Sequence, residues 1–236
     1  MIHINNISVK KIGNVYVYTE MVSGFFNNVS IIDDEELILI DTFKTRELME
    51  ELLENISSAF NKSVSKIIYT HWHIDHTLGS YFIPNTCIIS TKYTNDYLRN
   101  FISKDLERLT NRGIIEKGVK PKLSDIEFED RYCFELSEGK NIMIEHLPGH
   151  TYDSLAVFYE DILVVGDTLL GEEVDVFKPP VIPPDAPLSK EEYLEKAINY
   201  INNSNATHII TGHGYILPKT ELIQSNITRL RNGEES

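Results

Sequence analysis

The chain has 236 residues, of which 42% are hydrophobic and 25% are charged, as is typical of a soluble globular protein with its own core. Acidic residues outnumber basic ones by 36 to 22, and the resulting charge of −14 disfavours nucleic acid as a partner. No apolar run is long enough to cross a bilayer and the first residues have no signal-peptide pattern, so we expect a cytoplasmic protein without a membrane partner.

The first half of the chain is predicted to contain six strands and two helical regions. Polar and apolar residues alternate in the strands, and apolar residues recur at helical spacing over 48–60. A second helical pattern near 92–118 is interpreted as a helical insert, and the absence of any linker predicts one domain over 1–236. In chain order the strands are 4–12, 14–20, 29–32, 36–41, 65–70 and 87–91.

The second half repeats this succession of strands and helices. Ser189 and Glu192 form a capping-box pattern at the start of a helix through 201, and a last helix covers about 219–231. Two such halves predict two sheets face to face with helices outside, an α/β fold of the four-layer αββα sandwich type. The predicted strands lie near 126–136 and at 141–146, 155–159, 162–165 and 208–211.

Three other residues receive weaker predictions. Cys87 and Cys133 form no CxxC pattern, which disfavours a disulfide framework and a thiolate zinc site, and we expect both to be small buried side chains. Lys178 lies in a proline-rich loop and is a candidate contact for a substrate carboxylate, although a solubilising loop lysine is the simpler interpretation.

A dense histidine motif follows the predicted strand at 65–70. His71, His73, Asp75 and His76 form the pattern HxHxDH. On a helix, residues two apart point away from each other, but on an extended turn they can share an ion. Imidazole with a carboxylate suits zinc, iron or manganese, and packing these groups together has no purpose in a core. The motif therefore predicts a metal site.

Three further candidates, His150, Asp167 and His213, each lie next to a glycine after a predicted strand. A lone loop histidine is more often solvated than a ligand, and His3, His146 and His208 are left with that interpretation. Together with HxHxDH, however, the three strand-end residues complete a set large enough for two metals with room for water and substrate. The set is His71, His73, Asp75, His76, His150, Asp167 and His213.

At these positions the chain resembles the metallo-β-lactamase superfamily. HxHxDH is the specific motif, and the others gain weight by occurring together in the family's order along nearly the whole chain. The matching segments are Ile40-Asp41-Thr42, His71-Trp72-His73-Ile74-Asp75-His76, Pro148-Gly149-His150-Thr151, Gly166-Asp167-Thr168 and Gly212-His213-Gly214.

The resemblance implies the αββα fold and a role for each candidate. It implies a first metal on His71, His73 and His150, and a second metal on Asp75, His76 and His213. Asp167 would bridge both, and Asp41 would orient a ligand without binding metal.

The resemblance also narrows the reaction. The bridging position holds Asp167, where common zinc β-lactamases have cysteine, so the pattern is closer to glyoxalase-II-type thioesterases and lactonases. We expect two divalent ions, zinc first and iron or manganese as alternatives, and a bridging hydroxide that cleaves an ester, thioester or lactone of a small molecule. Asp75 would orient the hydroxide and pass a proton to the leaving group.

Two alternatives remain open. Persulfide dioxygenases of similar sequence use a single iron, held by two histidines and an aspartate, so an oxidoreductase is the main rival. A scaffold protein with a relic site is disfavoured, because none of the seven ligands is missing. The sequence leaves the oligomeric state open.

Overall fold

The computed structural model describes residues 6–174, 182–183 and 186–233. His3 and Lys178 lie outside the described residues. Contacts divide the chain into two compact units, Met1–Glu129 and Asp130–Ser236. The single domain over 1–236 stays a prediction.

The first unit is built on a seven-stranded sheet. Its strands are β1 (Ile7–Ile12), β2 (Val15–Glu20), β3 (Asn28–Asp33), β4 (Leu37–Ile40), β5 (Val64–Ile68), β6 (Cys87–Thr91) and β7 (Ile126–Phe128). They follow one another across the sheet in chain order, antiparallel from β1 to β4 and parallel from β4 to β7. Because β4, β5 and β6 share one direction, the residues that follow them lie at the same edge of the sheet.

The α-helices in the described part of the first unit are α1 (Arg46–Ala59), α2 (Ile74–Thr77), α3 (Lys92–Asn100) and α4 (Ile102–Asn111), and a 3-10 helix follows α2 at Leu78–Phe82. The helix predicted over 48–60 is confirmed as α1. Its first turn is capped by the Thr45 side chain, which accepts a hydrogen bond from the Leu48 N–H at 3.4 Å. Its buried face includes Met49 and Leu52, and each side chain of this size removed from water contributes about 1.5–3 kcal/mol.

The region predicted as a helical insert contains α3 and α4 but is helical only as far as Asn111. Gly113 has a φ of 67°, in the left-handed region that ends helices. The Ile114 N–H donates to the Leu109 carbonyl at 3.0 Å and closes the last turn. The prediction of helix up to residue 118 is therefore wrong for its last seven residues, 112–118, because Gly113 ends the helix.

The second unit is built on a five-stranded sheet whose strands are β8 (Arg131–Glu135), β9 (Asn141–His146), β10 (Leu155–Tyr159), β11 (Ile162–Val164) and β12 (His208–Ile210). Their order across the sheet is β12-β11-β10-β9-β8, and the pairs are antiparallel except for the parallel pair of β11 and β12. The α-helices are α5 (Lys190–Asn203) and α6 (Lys219–Gly233). The capping box of Ser189 and Glu192 is present at the start of α5. Each unit combines a sheet with helices, which confirms the α/β class.

The strand region near 126–136 is divided between β7 in one sheet and β8 in the other. The prediction that both cysteines are buried is wrong, because Cys133 is exposed and Cys87 is half-buried. β8 is an edge strand whose side chains alternate, so Cys133 shares the outward face with Arg131 and Glu135. In the part of the chain that the structure describes, no helix is both long and apolar enough to cross a membrane.

Candidate metal centre

Asp41 lies directly after β4 and organises the ligands of the first unit. Its φ of 63° is uncommon for a residue other than glycine, and its main-chain N–H donates to the Ile68 carbonyl at 2.9 Å. The carboxylate accepts hydrogen bonds of 2.7 Å from both the N–H and the hydroxyl of Thr70. Only 2% of Asp41 is exposed, so these contacts fix its carboxylate in a dry environment.

His76 lies in the single turn α2 and is fully buried. Its Nδ1 lies 2.9 Å from Asp41 Oδ2. Its carbonyl accepts hydrogen bonds from the Thr42 N–H at 2.9 Å and from the Thr42 hydroxyl at 3.0 Å. A proton held on Nδ1 by a carboxylate leaves the Nε2 lone pair available, which is the tautomer a metal requires.

His71 and His73 approach each other through their ring nitrogens. His71 Nε2 lies 2.9 Å from His73 Nδ1, and the other His71 nitrogen lies 3.1 Å from the Thr70 hydroxyl. Two nitrogens bound to one tetrahedral ion at about 2.0–2.1 Å would be separated by only slightly more than this. The extended turn therefore brings these two side chains together as the spacing predicts.

Asp75 and Trp72 lie on either side of His73 in sequence. A ligand oxygen of Asp75 lies within 4.8 Å of a His76 ring nitrogen, and the Asp75 side chain is half-buried. The indole of Trp72 contacts the His73 ring at 4.6 Å between centroids and stacks on Tyr97 of α3 at 5.5 Å. The insert helix therefore supports a candidate ligand through Trp72.

In the second unit, Asp167 and His213 follow the adjacent parallel strands β11 and β12. Gly212 donates its N–H to the Gly166 carbonyl at 2.7 Å, which continues the strand pairing into the two loops. His213 Nε2 lies 3.3 Å from Asp167 Oδ2. Parallel pairing thus places two candidate ligands at one edge of the sheet.

His150 reaches the same carboxylate from a loop after β9. Its Nε2 lies 3.7 Å from Asp167 Oδ2, and the residue is 7% exposed. Gly149 permits this approach, because a Cβ there would lie 2.8 Å from Thr168 Cγ2. One Asp167 oxygen is therefore approached by two imidazole nitrogens from different loops.

These contacts suit metal ligation in both units. Each unit contributes imidazoles together with a carboxylate, a donor set that fits zinc, iron or manganese. The first unit brings His71 next to His73, and Asp75 next to His76, whose Nδ1 faces Asp41. The second unit brings His150 and His213 to Asp167. A common metal pair held by all seven remains a prediction.

Two histidines without an assigned role have other contacts. His146 Nε2 lies 2.6 Å from the Tyr152 carbonyl, and burial lowers the pKa of its ring below 6.5 despite this hydrogen bond. His208 is exposed and lies 3.7 Å from Asp161 through Nδ1. Sequence reasoning gave no role to Thr70, which binds Asp41, or to Thr42, which binds the His76 carbonyl. Thr42 belongs to a recognised motif and Thr70 precedes one, and these positions were the available signal.

The comparisons with known proteins identify the family of this chain. Residues 22–213 match a family model described as the metallo-beta-lactamase superfamily. A probable metallo-hydrolase of Methanocaldococcus jannaschii is 28% identical over 202 residues, which cover 82% of this chain and 90% of that protein. An atrochrysone carboxyl ACP thioesterase of Claviceps purpurea is 27% identical over 57% of this chain, and the match spans only 36% of that longer protein.

Solved structures show the same fold. A metallo-beta-lactamase from Pontibacter korlensis has a TM-score of 0.67 at 20% identity, covering 96% of this chain and 99% of its own. A metallo-beta-lactamase family protein of Thermus thermophilus has a TM-score of 0.71 at 18% identity, covering 95% of this chain and 80% of its own. The predicted fold class is confirmed.

Proposed function

This chain belongs to the metallo-beta-lactamase superfamily and is a metal-dependent hydrolase. From that premise we propose that the protein binds two metal ions and uses them to cleave an ester, thioester or lactone of a small molecule. The observation that carries the proposal is the convergence of His150 and His213 on a single Asp167 oxygen. A carboxylate approached in this way is suited to bridge two cations.

The proposed ligand sets follow the resemblance. His71, His73 and His150 would hold one ion, and Asp75, His76 and His213 would hold the other, with Asp167 between them. Zinc is the first expectation, because imidazole and carboxylate are its common ligands; iron and manganese accept the same donors.

The bound ions would supply Lewis acidity, which activates water near neutral pH and polarises the carbonyl of the substrate. The protein residues would orient the metal ligands and the attacking water and would carry the proton. Asp41 Oδ2 lies 2.9 Å from His76 Nδ1 and would keep the proton of that ring on Nδ1. Asp75 lies beside His76, where its carboxylate can orient the attacking water and carry a proton to the leaving group.

The substrate class rests on two arguments. Aspartate at position 167, where common zinc β-lactamases have cysteine, lowers the weight of β-lactam hydrolysis. The similarity to a protein named as a thioesterase supports acyl transfer to water, although the match covers only part of that protein. We therefore expect esters, thioesters and lactones to be hydrolysed in preference to β-lactams.

The proposal is tested with a panel of ester, thioester, lactone and β-lactam substrates. Wild-type protein should lose its hydrolysis after chelation and regain it when zinc is returned. Asp167→Ala should lose bound metal and activity together, whereas Asp161→Ala, which removes an exposed carboxylate of the same unit, should keep both. Full activity in the chelated protein, or in metal-free Asp167→Ala, would refute the proposal.

A further inference from the structure

Asn226 of α6 is a buried amide that binds main-chain atoms of another segment. Only 3% of it is exposed. Its Oδ1 accepts a hydrogen bond from the Leu170 N–H at 2.9 Å, and its Nδ2 donates to the Leu170 carbonyl at 2.8 Å. The same Nδ2 donates to the Leu222 carbonyl of α6 at 2.9 Å, so the amide is held from both sides.

The segment that Asn226 holds contacts a candidate metal ligand directly. Gly171, next to Leu170, donates its N–H to the His213 carbonyl at 2.8 Å. A Cβ on Gly171 would lie 2.4 Å from the Tyr215 carbonyl oxygen, so the two backbones touch without a side chain between them. A displacement of Leu170 and Gly171 is therefore transmitted to His213.

The same segment, Leu170 and Gly171, comes shortly after Asp167 in the sequence. Leu170 follows the turn at Gly166–Thr168, which carries the Asp167 carboxylate. Arg229, one helical turn beyond Asn226, adds hydrogen bonds to the Gly171 carbonyl at 3.1 Å and to the Leu170 carbonyl at 3.5 Å. Helix α6 thus fixes the loop that connects with both ligands.

We propose that Asn226 is a positioning residue for the metal ligands Asp167 and His213, an inference that rests on the proposed function. The amide holds Leu170 and Gly171, which set the distance of 3.3 Å between His213 Nε2 and Asp167 Oδ2. Groups that hydrogen-bond a metal ligand directly change metal affinity about 10–100-fold when they are removed. Asn226 acts on Asp167 and His213 through Leu170 and Gly171, so we expect an effect at the lower end of that range.

The chemistry of position 226 calls for an amide. An amide presents an acceptor oxygen and a donor nitrogen side by side in a single plane, as the N–H and carbonyl of Leu170 require. In Asn226→Asp, a carboxylate oxygen would replace the donor and repel the Leu170 carbonyl. An added negative charge by itself attracts cations, so a loss of metal affinity in this variant would have to come from displaced ligands.

The experiment compares Asn226→Asp and Asn226→Ala with Gln224→Ala, a change at an exposed position of the same helix. Zinc affinity is measured by competition with a chelator, at a temperature where circular dichroism shows every variant folded. The absorption spectrum of the cobalt(II)-loaded proteins reports the ligand geometry. Both Asn226 variants should lose about tenfold in affinity and show a changed spectrum, while Gln224→Ala matches wild type.

Unchanged zinc affinity and an unchanged cobalt spectrum in folded Asn226 variants would overturn this inference while leaving the proposed function intact. Absence of zinc binding by wild type would instead overturn the proposed function, and the inference with it. If neither Asn226 variant folds, Arg229→Met takes their place, because it removes only the peripheral donors to Leu170 and Gly171. It should weaken zinc binding several-fold, and wild-type affinity in this variant would overturn the inference.

Discussion

Single carboxylates set the direction of the candidate ligands in each unit. Asp41 accepts both Thr70 hydrogen bonds and faces His76 Nδ1. Asp167 faces the Nε2 atoms of two histidines. The proposed roles differ, because Asp41 would orient the His76 ring from the side away from the metal, whereas Asp167 would itself be a metal ligand.

Asp41→Asn tests the orienting role. An amide nitrogen facing His76 Nδ1 would favour the tautomer with the proton on Nε2, the nitrogen that the metal needs. Metal affinity should fall about 10–100-fold, measured by zinc titration against a chelator. Asp33→Asn, which alters a carboxylate of the same sheet paired with Lys62, should leave the affinity unchanged. Wild-type affinity in Asp41→Asn would show that the tautomer is fixed elsewhere.

The half-buried ring of His146 should make the free energy of unfolding depend on pH. Burial lowers the pKa of its ring in the folded protein below the ordinary value of 6.5. As pH falls below 6.5, the unfolded chain binds a proton that the folded protein does not. The free energy of unfolding should therefore decrease from pH 6.5 downward, until the folded-state pKa is reached.

Urea unfolding of the metal-free protein at several pH values measures this dependence. In His146→Gln, the amide can still donate to the Tyr152 carbonyl, but it carries no titrating ring. The variant should lose part of the decrease seen in wild type between pH 6.5 and lower values. Identical slopes for the two proteins would mean that His146 does not contribute.

Sequence reasoning found the residues with unusual chemistry but not those that hold them in place. Asp41 and HxHxDH belong to motifs, so they could be predicted. Thr70 and Asn226 are ordinary residues, and their importance comes from paired hydrogen bonds to Asp41 and to Leu170. Such contacts join segments that are far apart in the sequence, so they cannot be predicted from the pattern of neighbouring residues.

Elements with strong periodicity were predicted closely, and elements set by their surroundings were not. Helix α1 and strands β6, β9 and β10 have the expected bounds within one or two residues. The region near 126–136 reads as continuous in sequence, yet it supplies strands to two sheets. Alternation identifies a strand, but the choice of its partner depends on the rest of the unit.

Helix α1 contributes to the first unit mainly through its buried face. Leu52 is fully buried in the core cluster of that unit. Leu52→Ala should lower the free energy of unfolding by about 2–5 kcal/mol, because it removes apolar contacts and leaves a cavity. Glu54→Ala, on the exposed side of the helix, should change it by about 0.5 kcal/mol or less. Chemical unfolding followed by circular dichroism compares them, and equal effects would contradict the assigned core.

At the scale of the molecule, the family match covers residues of both units. The region that matches the superfamily model runs from residue 22 to residue 213. The candidate ligands are divided between units, with His71, His73, Asp75 and His76 in the first. The proposed function requires ligands of both units to serve one pair of ions, which makes metal stoichiometry the decisive quantity.

Elemental analysis of protein purified without chelators or tags that bind metal tests this claim most directly. The account predicts two divalent ions per chain, zinc first, with both lost in Asp167→Ala. A single iron per chain, together with oxygen consumption on a persulfide, would contradict the dinuclear hydrolase and support the oxidoreductase alternative.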